Sequence, residues 1–155
     1  MNYFATREKI NKGEHEIISI SDLKEHEKTH TKYLEKLQKQ IFEDGVLKLP
    51  ILVDKETMVV LDGHHRLNSL RKLGFSKIAV VFIDYISPEI VVSSWRKGYE
   101  INKKDVLTAG LTDNKFPHKT SRHLLKTADN LVHISEFVKK TKINLEELKW
   151  KYITI

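Results

Sequence analysis

The sequence predicts an α+β fold, a small mixed sheet flanked by helices, on three observations. Short β-branched runs alternate with stretches of helical periodicity. Glycines stand where the helical patterns stop. No linker, repeat or low-complexity tract divides the 155 residues, so residues 1–155 are expected to form one compact domain. Its core would span about residues 15–95, with a second part over about 96–155.

His15 to Ile20 reads as the first strand, and Ser21 to Glu27 as a polar turn. Between Thr31 and Asp44 the residues Leu34, Leu37 and Ile41 share one helical face, and Gly45 closes the helix. Leu49–Val53 and Met58–Leu61 are β-rich runs joined by Asp54-Lys55-Glu56-Thr57, the pattern of a hairpin. A helix then opens at His64, with Leu67, Leu70 and Leu73 on one face and Gly74 as its cap. Lys77 to Asp84 is the strongest strand, and Val91 to Trp95 a further one. Lys103 to Ala109 reads as a short helix ended by Gly110. The polar, proline-bearing stretch Thr112–His123 reads mostly as loop, and Ile134–Leu148 mixes β-like and helical signals.

With 40% hydrophobic and 31% charged residues, the composition is that of a soluble globular protein. A net charge of +6 favours anionic partners: nucleotides, phosphorylated metabolites or nucleic acid. Zero cysteines exclude disulfides, thiolate nucleophiles and zinc–cysteine sites. The first nine residues lack the apolar region of a signal peptide, and the longest apolar run, Ile78–Ile83, is too short to span a bilayer. A cytoplasmic protein with no membrane partner is expected. The chain has no P-loop, no kinase-type glycine-rich loop and no His-Glu-x-x-His pattern. Trp95 and Trp150 read as core or edge aromatics rather than stacking platforms.

Three clusters carry candidate chemistry. In the first, Asp62-Gly63-His64-His65-Arg66 gathers an acid, two imidazoles and a guanidinium at a strand end and a helix N-terminus. Free N–H groups and the positive end of the helix dipole make that junction a phosphate cradle. Gly63 lets the backbone approach closely, the amides of His64 and His65 point at oxygens, and Arg66 chelates them. Asp62 would hold Mg²⁺ or orient a hydroxyl; the plain structural alternative makes Asp62 the helix N-cap. The second cluster, Lys119-Thr120-Ser121-Arg122-His123, has the cations and hydroxyls of an anion clamp for a carboxylate or phosphate; the plain alternative is a solvated basic loop. The third, Lys24-Glu25-His26-Glu27-Lys28-Thr29-His30, is a solvated turn unless Glu25 or Glu27 enters a cleft as a general base.

A valine-bearing strand, Asp62-Gly63-His64-His65-Arg66, a leucine-faced helix and Leu73-Gly74 resemble the signature of the ParB/sulfiredoxin-like superfamily of nucleotide-binding domains. Sulfiredoxin chemistry needs a cysteine, which this chain lacks. Lys24-Glu25-His26-Glu27, Val92-Ser93-Ser94-Trp95 and Phe116-Pro117-His118-Lys119-Thr120-Ser121-Arg122-His123 further resemble, in order, segments of the free L-serine kinases. Glu25 stands where that family has proline, and Thr120-Ser121 replaces a Thr-Thr pair. The proline after Phe116 is also transposed by one position, and the family is longer between the tryptophan and the clamp.

The resemblance implies phosphoryl transfer from ADP or ATP, with Mg²⁺, to the hydroxyl of free L-serine, giving O-phospho-L-serine. It implies Glu27 as catalytic base and Asp62 as the acid beside the reacting groups and the metal. Gly63, His64, His65 and Arg66 match the nucleotide-phosphate cradle. Trp95, Lys119, Thr120, Ser121, Arg122 and His123 match the substrate side. The alternative is a ParB-like DNA-binding or nucleotide-switch module, or a sensor that binds phosphoserine without turnover. With no helix-turn-helix after the signature and no dense basic face, nucleic acid is the disfavoured partner.

Overall fold

The computed structural model describes residues 5–12 and 14–149, and its architecture is α+β. A helix not anticipated from the sequence, α1 (Ala5–Lys12), comes first. The strand β1 (Glu16–Ser19) follows, then a 3-10 turn (Ile20–Asp22) and α2 (Thr31–Asp44). Gly45 ends α2 at φ +68°, donating its amide to Ile41 O, so the cap lies where the periodicity stops. β2 (Val46–Leu47) leads to a hairpin of β3 (Ile51–Asp54) and β4 (Val60–Asp62).

α3 (His64–Lys72) crosses over to β5 (Lys77–Ile83), which runs parallel to β3. The principal sheet is mixed, in the order β1-β5-β3-β4. β3 is buried on both faces: Ile51 and Val53 enter one hydrophobic cluster with Leu67 and Leu70 of α3, while Leu52 enters another with Val81 and Ile83. The period of two along a strand explains why a run of only four residues feeds both cores.

The second half forms an antiparallel sheet, β6 (Ile90–Ser94), β7 (Ser121–Lys126) and β8 (Leu131–His133). Between β6 and β7 lies α4 (Lys103–Leu111), opened by a capping box in which Asn102 and Asp105 exchange side-chain-to-backbone bonds. β9 (Ile143–Asn144) returns to pair with β2.

Three readings are corrected. Asp62 is not the cap of α3: it is the last residue of β4, and Gly63 occupies the N-cap. Gly110 does not end α4 but lies inside it, at a position where a Cβ would stand 2.8 Å from both Val59 methyls; Thr112 is the cap. Gly74, by contrast, caps α3 as expected: at φ +89° it follows Leu73, and the bonds Gly74 N–H to Arg71 O and Phe75 N–H to Leu70 O form a Schellman motif. The end of the expected loop, Ser121 to His123, is strand, paired with β6 in the register Ser94–Ser121 to Val92–His123. Trp150 lies outside the described residues.

Candidate functional site

At the β4–α3 junction Gly63 sits at φ +108°, and a Cβ there would lie 2.4 Å from Ile51 Cγ2. No other residue fits that turn without displacing the core. It lets α3 start directly behind Asp62, so the amides of His64, His65 and Arg66 precede the first intrahelical bond, Leu67 N–H to Gly63 O at 3.0 Å. Arg66 folds back over the turn: Nη2 reaches Asp62 Oδ2 at 3.2 Å and Pro50 O at 3.3 Å. Its buried Nε has no hydrogen-bond partner among the described residues.

Glu27 is held against the segment before β7. Main-chain bonds Phe116 N–H to His26 O and Lys28 N–H to Phe116 O, both 2.8 Å, lay the two stretches side by side. Lys119 then turns at φ +56°, and the amides of three successive residues converge on one carboxylate. Glu27 Oε1 accepts from Thr120 N at 3.0 Å and Ser121 N at 2.8 Å and lies 3.1 Å from Ser121 Oγ, while Oε2 accepts from Lys119 N at 3.3 Å. Burial pushes the Glu27 carboxyl above the usual carboxylate range, and the bonds from Ser121, Thr120 and Lys119 offset part of that rise. Glu25 is spent elsewhere, on Asn68, Arg71 at 3.1 Å and Lys115 at 3.9 Å.

Between these halves lies a set of buried imidazoles. His26 donates from Nδ1 to Val60 O at 2.7 Å, and its Nε2 stands 2.8 Å from Ser121 Oγ. His64 accepts the His26 amide at 3.2 Å, and the two rings meet edge to face at 4.6 Å. His123 meets the Tyr85 hydroxyl at 2.8 Å. Burial lowers His26 to about 4, and burial first, then the neighbouring imidazoles, pushes His64 and His123 well below the ordinary histidine value. These rings are neutral at physiological pH. His65, on the next side of the helix, points away from His64 and accepts the His30 amide at 2.9 Å.

A cavity of about 210 Å³ joins the parts. Asp62, Gly63, His64, His65 and Arg66 line it from the cradle; Glu27, Lys119, Ser121, His123 and Trp95 line it from the opposite side. Two predicted site residues are placed differently. Thr120 is fully buried, its hydroxyl bonded to Pro117 O at 2.6 Å, and Arg122 lies over the Trp95 ring at 4.9 Å. Leu37 and His133, which no motif marked, also line the cavity. His26 was visible only as part of a charged run. Among the described residues no cluster of three or more histidine, aspartate or glutamate side chains is arranged to hold a metal ion by itself. Nor is any helix long and apolar enough to cross a membrane.

No protein-family model matches the chain. A ParB-like protein of Sulfolobus acidocaldarius is 48% identical over 48 residues, 31% of this chain and 24% of that protein. An ATP-dependent L-serine kinase of Staphylothermus marinus is 30% identical over 83 residues, covering 51% of this chain and 33% of the relative. An ADP-dependent L-serine kinase of Thermococcus kodakarensis is 28% identical over 100 residues, covering 62% and 41% respectively. The matched region thus spans only about a quarter to two fifths of these curated relatives' length. Among solved structures, a free serine kinase in complex with AMP superposes with a TM-score of 0.73 at 16% identity, over 86% of this chain and 93% of that one. The ADP complex gives the same TM-score. The chain therefore has the fold of the free serine kinase, and its sequence is similar to that of a ParB-like protein and of L-serine kinases.

Proposed function

We propose that the protein is a small-molecule kinase that transfers a phosphoryl group from ADP or ATP to the hydroxyl of free L-serine, forming O-phospho-L-serine. The observation that carries this reading is the meeting, in one cavity, of a helix N-terminus with Arg66 on one side and a half-buried carboxylate, Glu27, on the other. Phosphoryl transfer asks mainly for positioned charge and a group to take the acceptor's proton.

In this reading the amides of His64 and His65 and the Arg66 guanidinium hold the donor phosphates. Lys119 supplies positive charge on the acceptor side, and Leu37, Trp95 and His133 offer apolar and aromatic surface to the rest of the ligands. Glu27 takes the serine hydroxyl proton as the oxygen attacks phosphorus, and the nucleotide leaves one phosphate shorter. Mg²⁺ is ordinarily bound through phosphates and one or two carboxylates rather than by an all-protein cage. Asp62, a single carboxylate at the cradle, fits such a role. The ion would supply neutralisation of phosphate charge. Because the reading uses free nucleotide and a free amino acid, it puts the protein in the cytoplasm.

The test is a panel assay: purified protein, Mg²⁺, and ADP or ATP with serine, threonine and homoserine, products identified by mass spectrometry. O-phosphoserine formation supports the reading. Folded protein that yields no phosphoamino acid from any pair, or that instead binds DNA with a steep salt dependence, rejects it.

A further inference from the structure

His26, Ser121 and Glu27 form a hydrogen-bonded line whose protons do not add up in the resting state. The Val60 carbonyl can only accept, so His26 Nδ1 carries the proton of that 2.7 Å bond. With the ring neutral, Nε2 is a bare lone pair, and the 2.8 Å contact to Ser121 Oγ requires the serine to donate. Ser121 Oγ also stands 3.1 Å from Glu27 Oε1, which already accepts the amides of Thr120 and Ser121, and this contact between two oxygens needs a hydrogen of its own while the carboxyl is ionised. One hydroxyl hydrogen cannot serve both. The line is one proton short, and a single added proton completes it: carboxyl to Ser121 Oγ, Ser121 to His26 Nε2, His26 Nδ1 to Val60 O.

We propose that Ser121 and His26 are positioning residues that form a relay for the proton Glu27 takes from the acceptor hydroxyl. This rests on Glu27 being the base. The acceptor O–H bond breaks as its oxygen bonds phosphorus, and Glu27 receives the proton. With that proton on Oε1, the carboxyl donates it to Ser121 Oγ while Ser121 passes its own hydrogen to His26 Nε2. The result is carboxylate, serine and imidazolium; the reverse transfer returns the proton to the cavity when product leaves. Once ligands fill the cavity and exclude water, the relay gives the proton a place that water does not need to provide. His26 is faced by His64 of α3 at 4.6 Å and His123 of β7 at 6.0 Å, and β4 presents only the Val60 carbonyl. Both neighbouring imidazoles are neutral, so what opposes a charge on His26 is its own burial, which keeps the imidazolium short-lived and favours return of the proton. The Ser121 hydroxyl is thereby committed to the relay rather than to gripping substrate.

Two measurements test it. The imidazole nitrogen resonances of His26 in the wild-type protein should show a neutral ring protonated at Nδ1; a resting ring protonated at Nε2 would overturn the relay, since His26 would then have nothing to accept with. The second is turnover across the neutral pH range in mixtures of H2O and D2O, for wild type, Ser121→Ala, Ser121→Thr and His26→Asn. Ser121→Ala and His26→Asn should lower kcat about tenfold or more with KM nearly unchanged. The curved proton inventory expected of the wild type should become linear in both, and Ser121→Thr should restore it. Unchanged kcat and inventory in both variants, beside an inactive Glu27→Gln, would remove the relay and leave the base standing. A Glu27→Gln variant as active as wild type would instead sink the kinase mechanism on which the relay depends.

Discussion

The Glu27 carboxylate accepts the backbone amide of Ser121 at 2.8 Å, a bond between residues 94 positions apart in the chain. It ties the segment after β1 to the start of β7, so the side of the cavity opposite the cradle is held together by a group that itself faces the cavity.

That bond has a cost in stability when it is removed. Glu27→Ala leaves the amides of Thr120 and Ser121 without their acceptor, which should destabilise the fold by about 1–3 kcal/mol in urea unfolding. Glu27→Gln keeps a carbonyl in the Oε1 position and sets its NH2 only against the longer contact with Lys119, so its loss should be well under half as large. Equal losses would mean that the amides do not depend on this acceptor.

Arg66 is the nucleotide's guanidinium in this account. Arg66→Ala should weaken ADP binding by about 10- to 100-fold, the value of a charge-assisted bond to phosphate. Calorimetry would check this, with circular dichroism confirming the fold. Arg66→Lys should recover only part of the affinity, because an ammonium cannot chelate two oxygens in one plane.

Gly63 has no substitute. Its φ of +108° and the 2.4 Å approach of Ile51 Cγ2 to a Cβ mean that Gly63→Ala must move β3 or unwind the start of α3. A destabilisation of at least about 2 kcal/mol is expected, with nucleotide binding lost in whatever protein remains folded. A wild-type melting temperature with normal affinity would contradict the cradle geometry.

Such a glycine can be read in the sequence because it sits between a β-run and a leucine-faced helix. α2 was legible for similar local reasons: its apolar face and Gly45 set both boundaries. What escaped depended on distant partners. Ser121–His123 looked like loop because its residues are polar; they become strand by pairing with Val92–Ser94. β2 and β9 are two residues each and exist only through one another. The different surroundings of Glu25 and Glu27 also lie outside local sequence, since Arg71 and Asn68 hold the one and three amides hold the other. His26 was hidden because a histidine in a charged run ordinarily faces water, whereas here it is fully buried.

Acid should unfold this protein early. His26, His64 and His123 all titrate in the fold below the unfolded value of about 6.5. Between their folded and unfolded values the unfolded chain binds more protons, so stability is complete above about pH 6.5 and falls as pH drops. His26, lowered to about 4, accounts for a loss on the order of 3 kcal/mol over that interval. Glu27 acts in the opposite sense: its raised value favours the fold at acid pH and loses that contribution as pH rises through it. Three imidazoles outweigh one carboxyl, so the urea midpoint should fall between pH 6.5 and 4, not rise. A flat profile would mean that the three rings are not buried neutral.

The most direct test of the account compares O-phosphoserine formed by wild type and by Glu27→Gln under saturating nucleotide and serine, with Mg²⁺. Wild type should make the product, and Glu27→Gln, still folded and still binding ADP, should make it roughly 100-fold more slowly or worse. Equal rates, or no product from the wild type, would contradict the claim that this cavity is a serine kinase site with Glu27 as its base.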